Sequence, residues 1–246
     1  MIRIFSDTRI DYLDSFLEEP ITFQNKKNEK LTGVAVLEGK KHLYKKALKL
    51  SEKYSIPLYI IQNGLSDLLF RLQTSISTSL IIVDRGFNIK LFLNGRKLDK
   101  NIIAKAKEIL NNINQSIEIS NDFLVIIDEP KYKYNDFSLF QKMIKVIENK
   151  HPEKKIYIVS PFEEKGVLEG LQLNKNIFKI VKNRNRIMDL LAGAKEVYVV
   201  NAYEGFIPLI LNKRVYCFGT PFYSGMGLTI DDKKISHYEK REIVDL

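Results

Sequence analysis

The stretch that covers residues 196–232 constrains the fold more than any other part of the chain. Residues 197–200 are a short apolar run typical of a buried strand, residues 206–211 have helical apolar character, and residues 215–218 read as a second strand. A loop rich in glycine, proline and aromatic residues follows. The stretch therefore predicts a β-loop-α-β unit with a site-like loop after it.

The turn inside this unit is a candidate ligand site. In open parallel sheets, ligands lie beyond the carboxyl ends of the strands, where loops lead into helix N-termini whose free N–H groups suit phosphate. Asn201, Ala202, Glu204 and Gly205 occupy such a place. Tyr223, in the later loop, either approaches a ligand or closes the sheet edge.

The composition is that of an ordinary globular protein. The chain has 246 residues, of which 45% are hydrophobic and 28% charged, enough for one large domain or two small ones. No apolar run approaches the ~18 residues needed to span a bilayer, and residues 1–17 lack the pattern of a signal peptide, so we expect a cytoplasmic protein. Cys217 is the one cysteine and lies in an apolar strand pattern, which predicts a core residue and excludes a disulfide framework. The three histidines lack metal-ligand spacing, so we expect no metal site.

An excess of basic residues favours anionic partners. Lysine and arginine number 39 against 30 acidic residues, which gives a net charge of +9. Residues 22–54 alone hold nine lysines and three glutamates. This segment is either a solvated helix face with a flexible loop or an electrostatic surface for a membrane-bound or polyanionic acceptor. The lysines are not interleaved with aromatic residues and no RNP or helix-turn-helix pattern is present, so we do not expect nucleic-acid binding.

The rest of the chain alternates strand-like and helix-like segments, which predicts an α/β fold. The predicted strands cover residues 2–5, 34–37, 57–61, 79–83, 123–127 and 156–159, and the predicted helices cover residues 10–17, 42–54, 98–113, 139–148 and 187–191. Two such series separated by a polar connector predict two Rossmann-like halves facing a cleft, with domains over residues 1–117 and 118–246. The alternative is one flavodoxin-like layered sheet.

The opening stretch resembles a known family, the bacterial capsule-polysaccharide β-Kdo transferases of the KpsC type. The matching positions are Gly205-Phe206, Val215, Phe218-Gly219, Pro221-Phe222-Tyr223, Gly225, Gly227-Leu228-Thr229 and Asp231-Asp232. Weaker matches follow the family's order along the chain. They include Phe5-Ser6, Val34-Ala35-Val36, residues 57–64, Asp84-Arg85-Gly86, Asp128, Asn135-Asp136, Ser138 and Val159-Ser160-Pro161 with Lys165-Gly166.

This resemblance implies a GT-B fold and a defined chemistry. The family transfers Kdo, an eight-carbon ulosonic acid, from CMP-Kdo with retention at the anomeric carbon. Retention calls for two displacements, in which a carboxylate first replaces the leaving group and the acceptor hydroxyl then replaces the carboxylate. The family's nucleophile falls on Asp136. Without the resemblance, the sequence favours Asp136 or Ser138 as the N-cap of the following helix, and with it both roles stay open.

The resemblance also implies a division of labour between the halves. The second half, residues 118–246, would bind the nucleotide sugar, and the first half, residues 1–117, the acceptor. The implied donor-binding residues are Asn135, Ser160, Pro161, Lys165, Asn201, Ala202, Glu204, Gly205 and Tyr223, and the implied acceptor-side residues are Gln62, Asn63 and Gly64. The CMP-activated sugar is the donor substrate, and no cofactor is implied.

Several positions depart from the family pattern. Ser160 replaces the family's nucleotide-contacting His, Ile207 replaces a Glu suited to the ribose hydroxyls, and Gln62-Asn63 replace two acids. Either the donor differs, with Glu204, Lys165 and Arg184 or Arg186 supplying the lost contacts, or the protein is a non-catalytic relative that serves as partner or scaffold. The expected partners are a nucleotide sugar, a lipid-linked saccharide acceptor and other capsule-assembly proteins, at the inner face of the cytoplasmic membrane.

Overall fold

The computed structural model describes residues 1–6, 13, 20–23, 30–37, 41–63, 80–84, 99–115, 122–131, 136–162, 165–235 and 238–243. Of residues 41, 62–63, 80–84, 113–115 and 184–185 it describes the backbone alone. The chain divides into two compact units, Met1–Asn88 and Ile89–Leu246. The sequence predicted a boundary between residues 117 and 118. Residues 89–117 therefore belong to the second unit of the structure, although they were predicted in the first domain.

The first unit contains a five-stranded sheet in the order β2-β1-β3-β4-β5. Its strands are β1 (Ile2–Phe5), β2 (Ile21–Thr22), β3 (Gly33–Leu37), β4 (Leu58–Asn63) and β5 (Leu80–Asp84), and its helix is α1 (Lys41–Tyr54). The first four strands are parallel, and β5 runs antiparallel to β4. The strand order is that of flavodoxin-like sheets, with the last strand reversed.

Side-chain alternation gives this sheet two apolar faces. On one face Val34 and Val36 pack against Leu43 and Ala47 of α1. On the other face the buried residues are Ile2, Ile4, Leu13, Ala35 and Ile61. Burying each Val or Leu side chain stabilises the fold by about 1.5–3 kcal/mol, so α1 is held by its apolar stripe. The helix ends at Tyr54, because Ser55 adopts a left-handed backbone with φ 52°.

The second unit contains a six-stranded, fully parallel sheet in the order β8-β7-β6-β9-β10-β11. Its strands are β6 (Leu124–Ile127), β7 (Ile156–Val159), β8 (Phe178–Val181), β9 (Glu196–Val199), β10 (Arg214–Cys217) and β11 (Ile230–Asp231). Its helices are α2 (Lys100–Gln115), α3 (Ser138–Lys150), α4 (Arg184–Gly193) and α5 (Phe206–Ile210), with 3-10 turns at Leu168–Gly170 and Tyr203–Gly205. Counted from β6, the order is the 3-2-1-4-5-6 arrangement of Rossmann folds.

The core of the second unit lies between this sheet and α3. Phe140, Met143, Ile144 and Ile147 recur at helical spacing and are buried on one face of α3. They pack against central strand residues such as Ile126. The core fixes where each strand ends and therefore where the following loops begin.

The structure confirms the α/β class and excludes the flavodoxin-like alternative. The two separate sheets exclude a single layered sheet. The predicted strands and helices are present with shifts of one to three residues at their ends, except that the helix predicted over residues 10–17 lies outside the described residues. The strands β2, β8 and β11 were not predicted. None of the described helices is long and apolar enough to cross a membrane. The facing of the two halves across a cleft stays a prediction.

Candidate functional site

The second sheet has a topological switch point between β6 and β9. These strands are neighbours, although two strands intervene in the chain. In doubly wound sheets the connections diverge at such a point and leave a ligand crevice beyond the carboxyl ends. Here that edge carries Asp128 and Glu129 after β6, and Val200 and Asn201 after β9. The predicted site residue Asn201 therefore lies where the fold favours a ligand.

A buried carboxylate links the loops at this edge. Glu129 is 5% exposed, and its Oε1 accepts the backbone N–H of Asn201 at 2.7 Å. The Asn201 Oδ1 in turn accepts the backbone N–H of Thr220, also at 2.7 Å. A hydrogen bond to a charged group is worth about 1.5–3 kcal/mol. The loops after β6, β9 and β10 are thus connected through one chain of contacts.

Asp128 holds the loop that follows β7. Its side chain is buried, and its Oδ1 accepts the N–H groups of Glu129 at 2.8 Å and Leu168 at 3.1 Å. The other oxygen, Oδ2, has no hydrogen-bond partner among the described residues. A Cβ at Gly166 would lie 1.8 Å from Oδ2, so only glycine fits there. Burial raises the pKa of the Asp128 carboxyl to about 6, although the two backbone N–H groups oppose this shift.

Ser160 adds a second buried oxygen at the carboxyl end of β7. The residue is fully buried, and its backbone N–H donates to Val181 O at 3.1 Å. Its Oγ has no partner within the part of the chain that the structure describes. Unpartnered buried hydroxyl groups are uncommon in native proteins. The adjacent Pro161 is half-buried, whereas Lys165 is exposed.

Tyr223 fastens the late loop to the turn after β9. Its ring is fully buried, and its hydroxyl donates to Ala202 O at 2.5 Å. A Cβ at Gly205 would lie 2.0 Å from this hydroxyl, which explains the glycine. Phe222 packs between the rings of Tyr203 and Tyr223, at 5.0 and 5.1 Å. These contacts support the sheet-edge role of Tyr223, and its contact with a donor stays a proposal.

Asp136 precedes α3 and is exposed. Its Oδ1 accepts the N–H of Ser138 at 2.9 Å, and its Oδ2 accepts the Ser138 hydroxyl at 2.8 Å. The backbone hydrogen bond from Ser138 lowers the pKa of the Asp136 carboxyl, so the group is ionised at neutral pH. The contact binds the N–H of the first residue of α3, but the N-cap position itself is Phe137, which makes no side-chain capping hydrogen bond. The same contact holds an ionised carboxylate in one orientation, and its catalytic role stays a proposal.

Other predicted site residues are placed only in part. Gln62 and Asn63 are the last residues of β4, where the structure describes their backbone alone. Asn135 and Gly64 lie outside the described residues. Glu204 is half-buried in the turn after β9. These residues remain predictions.

The residues that would supply the lost contacts are also known only in part. Arg186 is exposed, whereas Arg184 is described by its backbone alone. The departure at Ile207 is buried, with 2% of its surface exposed. Its side chain therefore belongs to the core and not to a hydroxyl-binding surface.

The acidic pair at the end of the late loop stabilises that loop. Asp231 accepts the N–H of Gly225 at 3.0 Å and the Thr229 hydroxyl at 2.7 Å, and Asp232 pairs with Lys142 at 2.5 Å. Gly225 has φ 79°, a conformation that favours glycine. Across the described segments, no group of three or more His, Cys, Asp or Glu side chains forms a metal site.

Sequence reasoning missed Glu129 and Thr220 as site residues, and quoted Asp128 without giving it a role. A signal for the two acids exists, because Asp128-Glu129 directly follow an apolar strand run whose carboxyl end carries ligands in parallel sheets. No signal of this kind marks Thr220, which enters the site through its backbone N–H.

Residues 141–246 match the family model described as capsule polysaccharide biosynthesis protein. The lipopolysaccharide-processing protein LpsZ of Rhizobium meliloti is 36% identical over 70 residues, which are 28% of this chain and 16% of that protein. The capsule polysaccharide modification protein LipA of Neisseria meningitidis serogroup B is 27% identical over 143 residues, with 50% of this chain and 20% of that protein covered. The chain thus spans a fifth or less of the length of these curated relatives.

Two solved structures share the fold. The first, Thermosulfurimonas dismutans KpsC, beta Kdo 2,4 transferase, has a TM-score of 0.77 at 23% identity, covering 99% of this chain and 88% of that chain. The second, the beta Kdo 2,7 transferase of the same protein, has a TM-score of 0.54 at 18% identity, covering 86% and 73%. Together with the sequence matches, they confirm the resemblance to the KpsC-type capsule family, and residues 141–246 carry the match to the capsule polysaccharide biosynthesis proteins.

Proposed function

We propose that this protein is a glycosyltransferase of capsule or related surface-polysaccharide assembly. It transfers Kdo or a related ulosonic acid from a CMP-sugar, with retention, to a lipid-linked acceptor. Its partners are these two substrates and other capsule-assembly proteins, and it works at the inner face of the cytoplasmic membrane. The names of LipA, LpsZ and KpsC support this pathway.

The proposal rests on the hydrogen bonds that link the loops at the switch point of the second sheet. The contacts from Glu129 to Asn201 and from Asn201 to Thr220 order three loops around one edge. The unpartnered oxygens of Asp128 and Ser160 lie at the same edge, within the described part of the chain. An ordered edge with unused polar atoms is suited to a polar ligand such as a nucleotide sugar.

Asp136 is the proposed nucleophile in the first of two displacements. A carboxylate oxygen attacks the anomeric carbon of the ulosonic acid, and the bond from that carbon to the CMP phosphate oxygen breaks. The acceptor hydroxyl oxygen then attacks the same carbon, releasing the carboxylate and a proton. The lowered pKa of Asp136 supports this role, since the attacking group must be ionised.

Substitution of Asp136 tests the assignment, and Asp99 provides a matched control. Asp99 is also an exposed residue in front of a helix, and its Oδ1 accepts the N–H groups of Asn101 at 2.7 Å and Ile102 at 3.3 Å. Asp136→Asn should abolish transfer from CMP-Kdo to a lipid-linked acceptor, because an amide is not a nucleophile at carbon. Asp99→Asn should leave both stability and transfer nearly unchanged, because Asn caps a helix about as well as Asp does.

Equal transfer by the two variants would remove Asp136 from the chemistry and leave it a structural contact in front of α3. Equal loss in both would show that helix stability limits the assay. Thermal unfolding of each variant, measured alongside transfer, separates these results.

A second candidate function follows from the burial of Ile207. The pattern of the family that this chain resembles has a Glu at this position, whereas the Ile207 side chain lies in the core. This favours a non-catalytic partner or scaffold in the same pathway. Calorimetry with CMP decides between the two, because micromolar binding of CMP supports the enzyme and excludes the scaffold, whereas no binding of CMP or other nucleotides supports the scaffold.

A further inference from the structure

We propose that a basic groove on the first unit binds the head-group layer of an anionic membrane. The groove is formed by Lys46, Lys49 and Lys53 of α1, by Arg3 and Phe5 of β1, and by Phe23 after β2. Its volume is about 380 Å³. The groove would hold the protein at the membrane whether or not the protein is a transferase.

The groove exists because α1 covers only part of one sheet face. Arg3 pairs in register with Val34, and Phe5 with Val36, so all four side chains belong to the face that α1 covers. The helix packs on β3 through Leu43 and Ala47. Residues of β1, Phe23 and one side of α1 line an open channel along the helix.

The positive charges of the helix are concentrated on the side that faces this channel. Lys46, Lys49 and Lys53 are spaced three and four residues apart, so they project from one side of α1 over about 10 Å. All three are exposed. Among the described residues that line the groove there is no Asp or Glu. Glu52, the one acid of the described helix, is about 60° from Lys49 around the helix axis, on the side away from Leu43 and Ala47.

The lining also contains exposed apolar groups, which favours a lipid surface over a soluble anion. Phe23 is 49% exposed, and Phe5 and Leu50 are half-buried. Lysines flanking exposed aromatic rings are typical of surfaces that bind anionic head groups, because the rings enter the interface while the ammonium groups stay at the phosphates. A free phosphate would gain nothing from the rings.

The groove is separate from the predicted acceptor residues. Because α1 connects the parallel strands β3 and β4, it runs antiparallel to them, and Lys53 lies toward the amino ends of the strands. Gln62 and Asn63 end β4 at the opposite edge. The two regions can therefore be substituted independently.

Vesicle binding by the full chain tests the inference. Wild type should co-sediment with vesicles of phosphatidylglycerol and phosphatidylcholine but not with phosphatidylcholine alone, and added salt should release it. Lys46→Gln with Lys49→Gln should weaken binding about fivefold for each lysine, about thirtyfold together. The matched control is Lys105→Gln with Lys145→Gln, two exposed helix lysines of the second unit, which should change binding less than about twofold.

Phe23→Ala provides the second variant. It should weaken binding to the anionic vesicles without changing the net charge, since it removes the inserted ring. Unchanged binding by this variant, or equal weakening in the two lysine pairs, would overturn the proposal. Competition by inorganic phosphate at equal charge would identify a soluble anion as the ligand, and competition by polyglutamate an acidic protein; either result also overturns it.

A transfer assay with a water-soluble acceptor keeps this proposal distinct from the proposed function. The Lys46/Lys49 variant should transfer to such an acceptor at the wild-type rate. If vesicle binding fails while transfer succeeds, the groove proposal alone is wrong. If transfer fails while vesicle binding succeeds, the enzyme assignment alone is wrong.

Discussion

Replacing Asp128 by Asn should change the pH dependence of stability in a defined direction. Burial raises the pKa of this carboxyl from 3.8 to about 6 in the folded protein. An acid whose pKa is raised on folding stabilises the fold below its unfolded pKa and loses that contribution as pH rises through its folded pKa. At neutral pH the ionised Asp128 therefore destabilises the folded protein, whereas an uncharged Asn at this position does not.

The magnitude follows from the two pKa values. A change from 3.8 to about 6 corresponds to about 3 kcal/mol. Asn keeps the Oδ1 acceptor for the N–H groups of Glu129 and Leu168 but places an amide NH₂ beside Gly166. Leaving that donor unsatisfied costs about 1–3 kcal/mol at every pH. The informative quantity is therefore the change with pH of the difference in unfolding free energy between variant and wild type. The cost of the unsatisfied amide is the same at every pH and does not affect this change.

Urea unfolding across the range from about pH 4 to about pH 7 measures it. Over this range, the unfolding free energy of Asp128→Asn should rise relative to that of wild type by about 2–3 kcal/mol. Asp122 supplies a control of opposite sign, because its hydrogen bond from Lys154 lowers the pKa of an exposed carboxyl. Asp122→Asn should lose ground to wild type as pH rises through 3.8, the ordinary value of this carboxyl, so the control is measured from below pH 4. A difference for Asp128→Asn that stays constant with pH would refute the reasoning.

Three further substitutions test the same edge of the sheet. Gly205→Ala places a Cβ against the Tyr223 hydroxyl and should cost about 1–3 kcal/mol in thermal unfolding, whereas Gly170→Ala, whose Cβ would meet only Lys131 Nζ at 3.7 Å, should cost far less. Ser160→Ala removes an unpartnered buried hydroxyl and should leave stability unchanged or raise it by about 1 kcal/mol while weakening CMP binding in calorimetry; a clear loss of stability would contradict the described environment of Oγ. Glu129→Ala should cost about 1.5–3 kcal/mol and Glu129→Gln less, since the amide oxygen still accepts the hydrogen bond; equal losses would show that charge and not acceptance matters.

Much of the fold could be predicted from apolar periodicity, and the failures have physical causes. β6 is a continuous apolar run, and β9 is one after Glu196, because a central parallel strand is buried on both faces. β8 was missed because only Phe178 and Val181 of its residues are buried, as expected at an edge with half its surface open. β2 and β11 have two residues each, too few for any pattern to appear.

The candidate site was predicted less well than the fold. Asn201 and Gly205 were found because they follow a recognisable strand. Glu129 and Thr220 were missed because they meet Asn201 only after the sheet has formed, and sequence spacing does not show such contacts. Phe23 joins the lysines of α1 in the same way, because it follows β2, a strand that the sequence did not reveal.

The link between Glu129 and Asn201 joins positions 72 residues apart. Closing so long a segment is slow, and β9 has to insert between β6 and β10 before the hydrogen bond can form. We therefore expect the bond to form late in folding. Weakening it should accelerate unfolding and leave the folding rate almost untouched, so the lifetime of the native state, and not the speed of its formation, depends on this carboxylate.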